Sequence, residues 1–247
     1  MESAPTPESL LSKCEVLKEH GAEGILVSGG SDPKGHVPID QYGDVIQTIK
    51  RKLGLKVVVH TGLVDEATAK SLALAHVDAA MIDVIGDERV AREVYHIEGG
   101  PEKTERSLRV LEEQGVPIVP HILVGLDRGR LSGELRALQM ISSMKPAAVV
   151  FIVFSPMRKT SMEHLLPPPP GVVGRLLTVA RLGLESTPIL LGCARPMGSH
   201  KVESDILAVK CGVNGIAYVS QEGVDIGRAM GLRPVFRDIC CSLVYQA

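Results

Sequence analysis

The chain has 247 residues, of which 45% are hydrophobic and 23% charged, and a formal net charge of −2. That length and apolar content support one well-filled globular domain, residues 1–247. The near-balanced charge gives no electrostatic case for nucleic acid or an anionic membrane as partner. No apolar run reaches the ~18 residues needed to span a bilayer. Residues 1–10 carry neither the basic nor the apolar part of a secretory signal, so the expected location is the cytoplasm. The cysteines Cys14, Cys193, Cys211, Cys240 and Cys241 show no CxxC or CxxxCxxC spacing and do not suggest a disulfide framework. With no Trp, four Tyr and three Phe, branched aliphatics must fill the interior, which suits the layered packing of a barrel.

In chain order, Thr6 or Ser9 caps a first helix with an apolar stripe at Leu10, Leu11, Cys14 and Leu17, and Gly21 ends it. Strand 24–28 follows, then the Gly-rich loop 29–35 and helix 40–53, stopped by Gly54. Strand 56–60 precedes an Ala-rich helix over 65–75. Strand 79–84 leads to helical stretches over 87–96 and 101–114, the second opened by Pro101. Strand 117–123, helix 132–144 and strand 148–154 come next. The run Pro167–Pro170 stiffens a connector before helix 172–184. Strand 188–192, helix 204–211 and strand 215–219 complete the alternation.

The strand runs are short, apolar and rich in Val, Ile and Leu, as parallel strands covered on both faces should be. Seven such strands alternate with helices, but the chain opens on a helix with no strand before it. The pattern predicts an α/β fold: a β/α (TIM-type) barrel lacking its first strand, with seven parallel strands. Every strand then ends on one face. The residues there are Ser28-Gly29-Gly30, His60-Thr61-Gly62, Asp83, His121 (inside its strand), Ser155, Cys193 with Arg195, and Ser220-Gln221.

Gly29-Gly30 lets backbone approach a ligand closely, though a plain turn explains two glycines equally well. His60, Asp83 and His121 sit on neighbouring strands and form a conceivable metal triad, as in metal-dependent barrel hydrolases or lyases. The lack of an HxH pair on one strand favours hydrogen-bonding histidines and no metal. Cys193 beside Arg195 reads as a soft ligand or anion clamp, or as a buried thiol beside a paired arginine. Adjacent Cys240 and Cys241 are expected to point apart. There is no strand-end Lys for a Schiff base, no Walker A motif and no Rossmann GxGxxG.

The stretches Gly24–Pro38 (GILVSGGSDPKGHVP), His60–Glu66 (HTGLVDE), Ile82–His96 (IDVIGDERVAREVYH), Val119–Leu126 (VPHILVGL) and Leu190–Gly198 (LLGCARPMG) resemble the radical S-adenosylmethionine superfamily. The likeness is to its biotin-synthase-like branch, including archaeal members linked to lipoyl synthesis. It keeps its order over nearly the whole chain. The resemblance implies S-adenosylmethionine and a [4Fe–4S] cluster, reductive cleavage of the sulfonium, and hydrogen abstraction or sulfur insertion. It assigns Gly29, Gly30 and Ser31 to the methionine end of the cofactor, Asp83 to a polar contact, and Val124, Gly125 and Leu126 to the adenine. It leaves His60, His121, Cys193 and Arg195 facing substrate.

The family's CxxxCxxC cluster loop and the strand before it are absent from this sequence. The chain is therefore expected not to hold the cluster alone, and to be a fragment or degenerate member that is inactive by itself; whether it is an enzyme stays open. A non-catalytic partner subunit of a radical-SAM enzyme is the alternative. Open strand edges at 24–28 and 215–219 are expected to pair, either with such a partner or in a homodimer.

Overall fold

A computed structural model describes residues 2–246. Its seven strands are β1 (Gly24–Val27), β2 (Lys56–His60), β3 (Ala79–Asp83), β4 (Ile118–Val124), β5 (Val149–Val153), β6 (Ile189–Leu191) and β7 (Gly215–Ile216). They form one sheet in the order of the sequence, and every neighbouring pair is parallel. The sheet curls into a half-barrel with β1 and β7 at its two free edges. The predicted architecture is borne out, strand for strand.

Of the helices, one precedes β1, one follows β7, and the others return the chain from a strand end to the next strand start. They are α1 (Pro7–Glu19), α2 (Gly43–Leu53), α3 (Glu66–Leu74), α4 (Glu88–Val90), α5 (Gly100–Glu113), α6 (Glu134–Ser142), α7 (Pro170–Gly183), α8 (Ser199–Lys210) and α9 (Gln221–Ala229). Local chemistry sets their ends. Thr6 accepts from the Ser9 amide, and Ser9 closes a capping box on the Thr6 amide. Asp65 caps α3 through the Thr68 amide. Gly54 ends α2 in the left-handed conformation, φ 62°. No described helix is long and apolar enough to cross a membrane.

Strand alternation divides the core into two layers. Val57, Val59, Ala80, Ile82, Ile118, Ile122, Val149, Phe151, Ile189 and Leu191 point outward into one cluster with the helices. The intervening Val58, Ala79, Met81, Val119, Ala148, Val150 and Leu190 point to the concave side and form a second cluster with Leu243.

Two elements lie beyond the sequence expectations: α9, and a 3-10 turn over Cys241–Gln246. The turn packs Leu243 against the concave face. Ser242 donates to the Met81 sulfur at 2.9 Å, and the Tyr245 hydroxyl donates to the Asp78 carbonyl. The C-terminal segment thus fills the inside of the barrel beneath the mouth. Helix α8 begins at Ser199, five residues before the predicted start.

Candidate functional site

Strand parity decides what faces the mouth. His60 shares its face with Val58, Asp83 with Met81 and Ala79, and His121 with Val119, all inward-pointing positions. Register then sets the heights. Asp83 and His121 are direct partners across β3 and β4, and His60 pairs with Met81 across β2 and β3. Three strands therefore raise three polar side chains just above the inner apolar layer.

Their geometry is close. His60 Nε2 lies 3.5 Å from Asp83 Oδ1. The two imidazoles meet edge to face, with centroids 6.1 Å apart and planes at 70°. The Tyr95 hydroxyl donates to Asp83 Oδ2 at 3.3 Å. Tyr95 gets there because the chain after β3 runs through α4 into a wide π-type turn, Ala91–Tyr95, a local irregularity often found at functional sites. Nothing in the sequence period marks that turn.

The protonation states follow from these contacts. The hydrogen bond to Asp83 raises His60 above its ordinary value, against burial and with help from the Asp83 charge. Burial alone would push Asp83 up. The hydrogen bond and charge of His60, the charge of His121 and the Tyr95 hydroxyl outweigh it and hold the carboxyl below its ordinary value. Burial drives His121 down to about 4, so at neutral pH it is an uncharged imidazole.

The loop after β1 forms the neighbouring wall. Asp32 accepts from the amides of Lys34 and His36 at 2.8 and 3.0 Å and folds the loop back. Gly35 and His36 are stitched to the loop after β2 through Leu63 N to Gly35 O, 2.8 Å, and the His36–Gly62 bridge. A side chain on Gly62 would run into the Gly35 carbonyl. Gly29, Gly30 and Ser31 stand exposed at the rim. At Gly30 no atom lies within 4 Å of where a Cβ would be, so this backbone is approachable from the mouth.

On the far side, Val124 ends β4 and Gly125 follows it. Gly125 takes φ 80°, and a Cβ there would sit 2.7 Å from Pro168. The stiff proline run thus closes directly on the strand end, and Pro170 opens α7. Buried Glu134 accepts the Gly125 amide at 2.7 Å and the Ser132 amide at 2.7 Å. The Gly125 N–H is thereby used inside the protein, and any ligand meets this segment through packing and through half-buried Leu126. Gly125→Ala is expected to cost about 1–2 kcal/mol from left-handed strain, before any cost of displacing Pro168. A urea melt checks this.

Arg195 is placed differently from its predicted substrate-facing position. Its side chain is 1% exposed and pairs with fully buried Asp205 at 2.9 Å. Its remaining N–H groups go to the carbonyls of Gly192 at 2.5 Å, Ala217 at 2.7 Å and Tyr218 at 3.4 Å. The guanidinium ties the ends of β6 and β7 to α8 and has no face toward the mouth. Cys193, by contrast, is exposed at the β6 end.

Cys240 and Cys241 are both half-buried where the C-terminal 3-10 turn begins. Their mutual interaction lowers Cys240 below its ordinary value, while that interaction and burial raise Cys241. Among the described residues, the one His/Cys/Asp/Glu group with metal-ligand spacing is nevertheless His60, Asp83 and His121. Sequence reasoning missed Tyr95 and Glu134, which position the mouth without lying at a strand end.

No family model matches the chain. Among curated proteins it is 27% identical to the 3-methylornithine synthase of Methanosarcina acetivorans over 160 residues, covering 64% of this chain and 45% of that protein. It is 24% identical to the biotin synthase of Leptospira biflexa over 236 residues, covering 93% of this chain and 65% of that one. The chain thus spans about half the length of the 3-methylornithine synthase it matches. Among solved structures, methylornithine synthase superposes with a TM-score of 0.63 at 18% identity, over 93% of this chain and 73% of that one. HydG, a maturase of the [FeFe]-hydrogenase, superposes with a TM-score of 0.65 at 18% identity, over 85% and 49%.

Proposed function

We propose, for a chain whose homologues lie in the biotin-synthase-like branch of the radical S-adenosylmethionine superfamily, that these residues form the part of a radical-SAM barrel that binds cofactor and substrate. One observation carries the reading: seven parallel strands in sequence order bring an approachable glycine rim and a polar inner ring to a single mouth.

The donor set fits S-adenosylmethionine in part. The open backbone of Gly29, Gly30 and Ser31 would receive its amino-acid end, and the apolar shoulder of Val124, Gly125 and Leu126 its adenine. Asp83 offers an acceptor between them. When bound, the cofactor supplies a sulfonium for reductive cleavage. The chain's own contribution is to hold substrate and cofactor together and exclude water; Leu243 and its inner-layer neighbours seal the floor.

The residues do not fit a [4Fe–4S] cluster. Cys14 is buried in the helix layer, Cys211 bonds to the Gly174 carbonyl beneath α7, and the other three cysteines do not form a metal-spaced group. In this reading the iron ligands come from outside these 247 residues, from another segment or a partner subunit, and the chain alone is inactive. The edge of β1, where Leu26 is 43% exposed, is where such an element would add, or where a second copy would pair.

Titration calorimetry with S-adenosylmethionine tests the binding half. Saturable binding is expected, weakened about tenfold by Gly30→Val, which fills open space without touching the fold. No saturable binding would reject the reading. Reconstitution with iron and sulfide tests the other half: iron well below one cluster per chain is expected, and a stoichiometric [4Fe–4S] spectrum would place the ligands on this chain.

A further inference from the structure

We propose that His60, Asp83 and His121 bind a single divalent transition-metal ion, of the zinc or cobalt class, on the inner face of the barrel mouth. The inference does not depend on the S-adenosylmethionine reading, since it stands on the geometry of three neighbouring strands.

One ligand atom from each residue can be chosen so that all three lie within 4.8 Å of one another. The His60 Nε2–Asp83 Oδ1 separation of 3.5 Å already matches the roughly 3.4 Å between two ligands of a tetrahedral ion with bonds of about 2.0–2.1 Å. Only His121 needs to swing closer. Its side chain is the least content of the three: the residue is 6% exposed, and its Nδ1 has no hydrogen-bond partner. A buried imidazole nitrogen without a partner is rare and asks for an explanation. A metal-free hydrogen-bonded pair of His60 and Asp83 leaves that nitrogen unexplained, whereas an ion drawing on both histidines gives His121 a reason to be there.

The surroundings support the same reading. Tyr95 occupies Asp83 Oδ2 at 3.3 Å and leaves Oδ1 turned toward His60. A hydrogen bond to the second carboxylate oxygen is the usual way a ligating carboxylate is oriented. Two imidazoles and one carboxylate suit zinc, cobalt or iron(II) better than the all-oxygen preferences of magnesium or calcium. With three protein ligands, a further coordination position stays open. Asp83 and Tyr95 also line a neighbouring cavity with Asp87, Leu126 and Ser132.

The probe is Co2+, added to chelator-treated protein and followed by visible absorption, with Zn2+ as competitor. The expected result is one Co2+ per chain, ligand-field bands of a nitrogen and oxygen site, and displacement by Zn2+. His60→Gln and Asp83→Asn should each weaken binding by about 100-fold, and Tyr95→Phe by about tenfold. The side chains of His60 and Asp83 are 27% and 26% exposed, so these two variants decide the matter even if a variant of buried His121 fails to fold. Absence of a saturable ligand-field spectrum overturns the proposal, as does a spectrum unchanged in His60→Gln and Asp83→Asn. Sulfur-to-cobalt charge-transfer bands abolished by Cys240→Ser would place the ion on the thiols and overturn it too. Calorimetry with S-adenosylmethionine on the same preparations separates the two readings: cofactor binding without Co2+ binding rejects the ion site alone, and the reverse rejects the cofactor reading alone.

Discussion

Arg195→Met is expected to lower the free energy of unfolding by about 3–5 kcal/mol, the range seen when one partner of a buried ion pair is removed. Asp205 would be left with a fully buried carboxylate. Lys201 Nζ at 2.9 Å and the Ser220 amide at 2.7 Å remain to it, which points to the lower half of the range. The carbonyls of Gly192 and Ala217 would lose their donor as well, and each unpaired buried acceptor adds its own desolvation cost. Asp205→Asn should do comparable damage, and the double variant should fall short of the sum, because the two residues share one network. Urea melts of the four proteins measure this. A ligand-facing arginine would give the opposite pattern, with unchanged midpoints and impaired binding of substrate or cofactor.

Arg195 also shows where reading from strand ends loses resolution. The position follows strand β6 by four residues, and strand-end position alone assigns it to the mouth. What turns it inward is Asp205, ten residues on, in a helix whose start the sequence places too late. Ser199, a residue that commonly caps helices, is here the first helical residue, and Gly198 caps without a side chain. With α8 begun at Ser199, Asp205 lies one turn beyond Lys201 on the same face and meets the guanidinium. Strand-end position left two readings of Arg195 open, an anion clamp and a paired arginine, and buried Asp205 decides for the second.

The strands were legible for the converse reason. A parallel strand covered on both faces must be apolar at every position, so KVVVH, AAMID and VVFIV stand out against helices that alternate on a longer period. The inward polar ring was legible through the same rule, since strand parity fixes which side His60, Asp83 and His121 face. Their contact distances, and the hydroxyl of Tyr95 beneath Asp83, were not. They depend on register and on a π-type turn that no residue pattern announces. The C-terminal turn was also hidden: Cys241–Gln246 is too short to show a period, and its place inside the barrel is a tertiary fact.

His121 should make the protein acid-labile in a window that its neighbours do not share. Its imidazole is held near 4 in the folded chain against an ordinary 6.5, because burial disfavours the charged ring. Unfolded chains take up the proton below about 6.5, and the folded protein resists it until about 4, so stability from this group is whole above 6.5 and drains away between those values. A displacement of that size corresponds to about 3 kcal/mol. His60 works in the other direction: its value is raised by Asp83, so its contribution is full below 6.5 and fades only as pH climbs through the raised value. Asp83, held low by the same pair, gives up its contribution only below its ordinary 3.8. Between about 4 and 6.5 the slope therefore belongs to His121. Urea melts of metal-free protein at pH 7 and pH 4.5 should show the native chain losing about 2–3 kcal/mol more than His121→Gln, a variant without the titrating ring. Carboxylates elsewhere titrate in both proteins and cancel in that difference. Equal losses would mean that the ring is already solvated, or already charged, in the folded state.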